Sequence, residues 1–255
     1  MGGNRKKRRT YPDVPERLAS TIVDNHTHLP VRGDRDYAAL SFDVASGVEE
    51  GADEDRQGSI PWHVARMEAA GVRCAITCGC DVPTLQPTVA LAERWPSLSA
   101  AIGIHPNEAP LHRGITEESP DGMAHGLDPW HRDLSLEDAV AEVAALAVSP
   151  DVVAIGETGL DFYRTAAAGR EAQEEAFRMH IELAKDLDLP MQIHDREAHA
   201  ECMRTFANAA PLNERFSIVS PGTGRWPRRA RRMAGTQVSP ARSAIRRTRI
   251  CARRS

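Results

Sequence analysis

The sequence predicts an α/β protein built from parallel βα units, of which about five to six can be recognised between residues 20 and 219. Three observations support this prediction. Short apolar runs alternate with longer segments of helical periodicity. The apolar runs are nearly continuous, which is typical of strands that are covered on both faces. Two long polar connections, 29–59 and 106–134, each follow the end of a run, where barrel enzymes extend their active-site loops.

Each element is predicted from the apolar pattern of its own segment. We expect strands at 21–28, 72–79, 98–105, 152–157 and 190–194, with the start of a sixth at 216–219. We expect helices at 60–70, 84–95, 136–147, 170–187 and 197–208. Ser135 and Asp138 have the spacing of a capping box, which supports the third helix.

The distribution of charge divides the chain into three segments. A basic N-terminus, residues 1–19, precedes the predicted barrel at 20–219, and residues 220–255 form a tail with eleven arginines and no Lys, Asp or Glu. The net charge is −4 over 255 residues, so the body without this tail is strongly acidic. Such a body does not attract nucleic acid through its bulk field, and any binding must be local. We expect the basic run at 5–9 to be a solvated terminus.

Hydropathy and cysteine content indicate the cellular compartment. No apolar stretch of roughly 18 residues and no apolar signal-peptide core is present, so we expect a cytoplasmic protein without membrane insertion. The five cysteines are odd in number and lack metal-ribbon or thioredoxin spacing, which favours reduced and mostly buried thiols. Three histidines in the second long connection are expected to be solvated: His112, His125 and His131. The sequence makes no prediction about oligomeric state.

Four of the five full predicted strands end in histidine or glutamate. These residues are His26 and His28 on the first strand, His105 on the third, Glu157 on the fourth and His194 on the fifth. A single buried histidine is usually a satisfied core residue. In a (β/α) barrel, however, the carboxyl ends of all strands converge on one face, so these side chains are expected to become neighbours.

This combination of side chains indicates metal-dependent hydrolysis. A carboxylate such as Glu157, placed among imidazoles, can bridge two cations that lower the pKa of a water molecule. Asp24 precedes His26 by two residues and faces the same side of the strand. It is expected either to orient an imidazole N–H or a water molecule, or to cap the end of the strand.

Four motifs together resemble the TatD family of metal-dependent deoxyribonucleases. They are DNHTHL at 24–29, GIHP at 103–106, GETGLDFY at 156–163 and LPMQIHDREA at 189–198. The resemblance covers about residues 20–210 in the family's order. It implies a (β/α)₈ TIM-type barrel that hydrolyses phosphodiester bonds in DNA with two divalent metal ions (Mg, Mn or Zn).

The resemblance also implies roles for individual residues. The first ion would be held by His26, His28 and Glu157, and the second by Glu157 and His194. His105 would transfer a proton or contact the phosphate. The other implied residues are Arg196 as a phosphate clamp, Tyr163 as a substrate contact and Asp161 as a residue that orients its loop. Arg196 has an alternative interpretation as an ion pair at a helix start.

The chain departs from the family pattern after residue 219. A histidine that ends strand six and an aspartate that ends strand eight are expected as further metal ligands, and neither is present. The sequence continues instead as SPGTGRW and becomes rich in arginine. We therefore expect an incomplete barrel with weak activity, and our preferred hypothesis is a frameshift. The alternative is a natural basic tail that grips DNA.

Two other functions remain open at this point. The first is an amidohydrolase that cleaves C–N or lactone bonds, although a lysine in place of Glu157 would have favoured it. The second is a non-catalytic remnant that binds nucleic acid through the arginines between 228 and 254.

Overall fold

Six parallel strands form the single sheet of the computed structural model, which describes residues 12–31, 58–209 and 216–219. The strands are β1 (Ile22–Thr27), β2 (Val72–Gly79), β3 (Leu98–Ile102), β4 (Val152–Asp161), β5 (Met191–Arg196) and β6 (Phe216–Val219). Each strand pairs with the next strand along the chain, in the order β1-β2-β3-β4-β5-β6. A doubly wound sheet would reverse this order at a switch point, whereas the wall of a barrel does not.

Contacts between distant strands show that the sheet is curled. β1 and β4 are three strand spacings apart, which corresponds to about 14 Å in a flat sheet. The His26 ring on β1 nevertheless lies 3.3 Å from the Glu157 carboxylate on β4. The predicted α/β fold is therefore confirmed as part of the wall of a TIM-type barrel. The segment at 220–255, where we hypothesise a frameshift, lies outside the described residues, and so does the basic run at 5–9.

Six α-helices alternate with the strands in the part of the chain that the structure describes. They are α1 (Ile60–Ala69), α2 (Val82–Arg94), α3 (Pro129–Asp133), α4 (Leu136–Leu146), α5 (Arg170–Asp186) and α6 (His199–Asn208). The predicted capping box of α4 is confirmed, because Ser135 Oγ accepts from the Asp138 N–H at 3.1 Å. Ser59 caps α1 in the same way by accepting from the Trp62 N–H at 3.3 Å.

The core lies where the middle strands are covered by helices. Every residue of β3 and β4 is buried. The largest apolar cluster joins these strands and β5 to α2, α4 and α5, with Phe177 and Ile181 of α5 packed against the sheet. Burial on both faces explains why the sequence of these strands shows no alternation of apolar and polar residues.

Three strand ends differ from the prediction by more than one residue. β4 continues to Asp161 and β5 to Arg196, because Leu160 pairs with Asp195 and Asp161 with Arg196 in the ladder. β3 ends earlier, at Ile102, but the His105 N–H still bonds the Cys80 carbonyl at 2.9 Å. A prediction from apolar runs ends a strand where polar residues begin, so it misses backbone pairing that continues through polar residues.

The prediction of solvated loop histidines was wrong for two of the three. His112 and His131 are buried. His112 Nδ1 donates to the Leu134 carbonyl at 2.9 Å, and His131 Nε2 lies 2.8 Å from Glu108 Oε2. His125 is half-buried and lies 3.2 Å from an Arg164 guanidinium nitrogen. These partners come from segments that no local pattern connects to the histidines.

The four described cysteines agree with the expectation of reduced thiols. Cys74, Cys78 and Cys202 are free and buried, and Cys80 is free and half-buried. Cys251 lies outside the described residues. The helices that the structure describes include none that is both long and apolar enough to cross a membrane.

Candidate metal centre

The candidate site lies at the carboxyl ends of β1, β4 and β5 and in the segment that follows β3. Because the strands are parallel, these ends meet at one edge of the curled sheet. The structure brings together all five of the strand-end residues that the sequence singled out: His26, His28, His105, Glu157 and His194.

Glu157 is buried at the centre of the site, and its two carboxylate oxygens face different histidines. Oε2 lies 3.3 Å from His26 Nε2 and 3.4 Å from His28 Nε2. Oε1 lies 2.8 Å from His194 Nδ1. One carboxylate is thus shared by two separate groups of imidazoles, which is the arrangement of a bridging ligand.

Hydrogen bonding in this group outweighs burial and favours charged side chains. Burial opposes the ionisation of Glu157, but hydrogen bonds from His194, His26 and His28 hold its pKa well below its usual range. Burial also opposes the protonation of His26, yet bonds to Cys78 and Glu157 raise its pKa to about 10. In the same way, Asp161 and Glu157 raise the pKa of His194 to about 9 against the effect of burial.

Two groups of side chains in the described residues can hold a cation. In the first group the ligand atoms of His26, His28 and Glu157 lie within 4.8 Å of one another, and in the second those of His105, Glu157 and His194 do. Nitrogen and carboxylate oxygen donors of this kind suit Zn²⁺ and Mn²⁺, and a carboxylate with open positions suits Mg²⁺. An ionised, buried carboxylate surrounded by imidazoles fits a site for divalent metal.

Asp161 supports both His194 and the loop that follows β4. Its Oδ2 lies 3.0 Å from His194 Nε2, opposite the nitrogen that faces Glu157. Its Oδ1 accepts from the backbone N–H groups of Tyr163 at 3.1 Å and Arg164 at 2.8 Å. Metal-ligating histidines commonly place their second nitrogen against such a carboxylate. The predicted orientation of the loop by Asp161 is thus accompanied by a contact to His194 that the sequence analysis did not predict.

His105 is held as a neutral imidazole. Its Nδ1 accepts from the Asn107 backbone N–H at 3.2 Å, which places the ring proton on Nε2. Burial lowers its pKa to about 3. Its Nε2 lies 3.2 Å from His194 Nδ1 and therefore points into the site as a donor. Within the second group, Glu157 and His194 are therefore the residues that suit a cation, whereas the protonated Nε2 of His105 suits a contact to an anionic oxygen.

Three further residues with predicted roles lie near the site. The Asp24 carboxylate accepts from the His26 backbone N–H at 3.1 Å, which is the contact of a strand-end cap. The Arg196 guanidinium stacks on the Tyr163 ring, 3.9 Å from its centroid. Tyr163 is 40 % exposed, so this stacked pair is open to solvent. The substrate roles of both residues stay predictions.

Sequence reasoning missed the side chains behind the first histidine pair. Gln192 Oε1 lies 3.1 Å from His26 Nδ1, and Cys78 Sγ lies 3.3 Å from the same nitrogen. Cys80 Sγ lies 4.0 Å from His28 Nδ1. One signal for Gln192 was available, because it is a polar residue within an apolar strand and two positions before His194.

Two glycines of β4 allow β5 to approach closely. Gly156 and Gly159 have φ values of 147° and 145°, which L side chains rarely adopt. A Cβ at Gly156 would collide with the Gln192 backbone oxygen, and one at Gly159 with that of His194. The absence of both Cβ atoms is therefore what sets Glu157 beside His194.

Comparison with known families gives a match over most of the chain. Residues 23–219 match the family described as TatD related DNase. A protein named 3'-5' ssDNA/RNA exonuclease TatD from Salmonella typhimurium is 35 % identical over 136 residues, which is 53 % of this chain and 43 % of that protein. A protein named uncharacterized metal-dependent hydrolase TatD from Mycobacterium tuberculosis is 31 % identical over 195 residues, 74 % of this chain and 58 % of that protein.

Solved structures of similar proteins have the same fold. The TatD homologue YJJV from Escherichia coli superposes with a TM-score of 0.50 at 25 % identity, over 80 % of this chain and 61 % of that one. A hydrolase TatD family protein from Entamoeba histolytica gives a TM-score of 0.51 at 18 % identity, over 75 % and 55 %. The chain spans about half the length of the curated relatives that it matches.

Proposed function

Because the chain belongs to the TatD family of DNases, we propose that it is a metal-dependent hydrolase that cleaves phosphodiester bonds in nucleic acid. Two divalent ions, Mg²⁺, Mn²⁺ or Zn²⁺, are proposed as its cofactors. The first would be held by His26, His28 and Glu157, and the second by Glu157 and His194.

The observation that carries the proposal is the position of Glu157. Its Oε2 faces the two histidines of β1 and its Oε1 faces His194 of β5. Three imidazoles from two strands and the segment after one of them surround this buried carboxylate, each facing it with a ring nitrogen. The divalent ions supply Lewis acids for a phosphoryl oxygen and lower the pKa of a water molecule.

The remaining side chains of the site suit a phosphodiester. His105 directs an N–H into the site and is neutral, so it can donate to a phosphate oxygen without the cost of desolvating a charge. Arg196 offers a planar guanidinium that can bind two phosphate oxygens at once. Its guanidinium lies over the Tyr163 ring, and the exposed part of this ring can stack with a base.

The substrate is proposed to be single-stranded nucleic acid. The relative from Salmonella typhimurium is named as a 3'-5' exonuclease of single-stranded DNA or RNA. Attraction through the bulk field is weak because the body of the chain is acidic. Binding would therefore depend on local contacts at Arg196 and on the cations themselves, and we propose DNA as the substrate to test first.

The test compares Mn²⁺-dependent cleavage of a labelled single-stranded DNA by the wild-type chain and Glu157→Gln. Loss of a residue that hydrogen-bonds to a metal ligand lowers metal affinity or activity about 10–100-fold. Loss of the shared ligand itself should therefore reduce the rate of cleavage by more than about a hundredfold. Glu142→Gln on the exposed face of α4 is the matched control and should cleave like wild type. Equal cleavage by the wild-type and Glu157→Gln proteins would reject the proposal.

A further inference from the structure

Gln192 makes contacts that connect β5 to the histidine pair of β1. The residue is 3 % exposed, and its side chain extends from β5 toward the end of β1. Its amide nitrogen donates to the Asn25 backbone carbonyl. Its amide oxygen lies 3.1 Å from His26 Nδ1 and 2.9 Å from Cys78 Sγ. β1 and β5 are four strand spacings apart, so only the curl of the sheet makes these contacts possible.

The contacts fix which way the amide faces. A backbone carbonyl can only accept, so the NH₂ group of Gln192 must face Asn25 and the oxygen must face His26. An amide oxygen can only accept as well. The thiol of Cys78 has one proton and donates it to this oxygen. His26 must therefore also be a donor here, with its proton on Nδ1.

This arrangement determines which nitrogen of His26 is free. With one proton held on Nδ1, His26 can become neutral only by losing its other proton from Nε2, which leaves the lone pair on that atom. Nε2 is the atom that lies 3.3 Å from Glu157 Oε2, within the first candidate metal group. Without the amide oxygen, the Cys78 thiol 3.3 Å away could donate to Nδ1 and move the ring proton to Nε2.

We propose that Gln192 is a positioning residue for the metal centre, which holds the proton of His26 on Nδ1 and leaves Nε2 available to the cation. The inference rests on the proposed function, because it assumes that the group around Glu157 binds metal. It assigns two tasks to one strand: β5 supplies the ligand His194 and, two residues earlier on the same face, the amide that orients His26.

The first test measures Mn²⁺ affinity by calorimetry. Gln192→Met retains a similar volume but has no acceptor, and we expect its affinity to fall about 10–100-fold. Gln192→Glu keeps an oxygen acceptor facing His26 Nδ1, so its affinity should fall less. Ser99→Ala removes a buried hydroxyl at the amino end of β3, opposite the carboxyl ends that form the site, and should bind like wild type.

Nitrogen NMR of the His26 ring provides a second test that does not depend on any variant folding. In the Zn²⁺-loaded wild-type chain we expect a proton on Nδ1 and metal on Nε2. A proton on Nε2 would overturn the inference, and so would equal Mn²⁺ affinity of the wild-type and Gln192→Met proteins. A wild-type chain that binds no Mn²⁺ would overturn the proposed function together with this inference, whereas equal binding overturns the inference alone.

Discussion

At the scale of single residues, the two candidate metal groups differ in what supports their histidines. His194 Nε2 lies against the Asp161 carboxylate, whereas His26 Nδ1 lies against the neutral amide of Gln192. A carboxylate makes its imidazole a stronger electron donor than an amide does. We therefore expect the position beside His194 to depend on Asp161 for much of its affinity.

The variant Asp161→Asn tests this dependence. All three partners of the Asp161 carboxylate are N–H donors, from His194, Tyr163 and Arg164. The side chain of asparagine has one oxygen and one NH₂ group. The NH₂ group must face either His194 or the loop N–H groups, and the group that it faces loses its acceptor. Calorimetry with Mn²⁺ should show an affinity about 10–100-fold lower. Asp186→Asn on the exposed face of α5 is the control. Unchanged affinity of the Asp161→Asn protein would contradict this role.

Much of the site was predictable at the scale of residues because each candidate ligand lies in the carboxyl-terminal half of its strand or just after it. His26, Glu157 and His194 could be placed together as soon as parallel strands were recognised, since carboxyl ends converge. Gln192 and Cys78 could not, because their roles depend on contacts between strands 166 and 114 residues apart in sequence. Nothing local distinguishes an amide that orients a histidine from one that fills the core.

At the scale of elements, β4 depends on its glycines. The predicted strand stopped at Glu157 because the sequence there turns polar. The structure continues it to Asp161, with Gly159 opposite His194 in the ladder. The pairing with β5 and the burial of every residue decide this extension, and neither is visible in an apolar pattern.

The variant Gly159→Ala tests the close approach of β4 and β5. The new Cβ would meet the backbone oxygen of His194, and the φ of 145° is strained for any L residue. We expect the free energy of unfolding in urea to fall by more than about 2 kcal/mol. Gly126→Ala, with no atom within 4 Å of its new Cβ, should change stability little. Similar urea midpoints for the two variants would refute the close approach.

Helix α5 is joined to the segment after β3 through His180. Its Nδ1 donates to the Ala176 carbonyl at 2.7 Å, and its Nε2 accepts from the Ile104 N–H at 3.1 Å. Only a neutral ring can make both bonds, and burial lowers its pKa from 6.5 to about 4. As pH falls, His180 takes up a proton in the unfolded chain at a higher pH than in the folded chain. The stabilisation of the folded state by neutral His180 is therefore complete above about pH 6.5 and is lost as pH falls toward 4.

Urea unfolding at several pH values tests the role of His180. Between neutral pH and about pH 5, the wild-type chain should lose about 2 kcal/mol through this residue alone. The variant His180→Gln should have a lower free energy of unfolding at neutral pH. Because it has no imidazole at this position, its free energy of unfolding should fall correspondingly less over the same pH range. The difference between the two curves isolates His180 from the histidines around Glu157. Parallel curves would show that His180 does not titrate in this way.

At the scale of the whole molecule, curvature of the sheet creates the site. In a flat sheet β1 and β4 would be about 14 Å apart, beyond the reach of a histidine and a glutamate. The strand order and the carboxyl-end position of the ligands followed from the alternation of strands and helices. The depth of the curl did not follow from the sequence, because it is seen only in contacts between distant strands, such as the one between His26 and Glu157.

Anomalous scattering from crystals of the wild-type chain soaked in Mn²⁺ tests most directly whether Glu157 would be shared by two cations. We expect two peaks, one beside Glu157 Oε2 with His26 and His28, and one beside Glu157 Oε1 with His194. Crystals of Glu157→Gln should show neither peak. A single peak away from Glu157, or no peak in the wild-type protein at saturating Mn²⁺, would contradict the account.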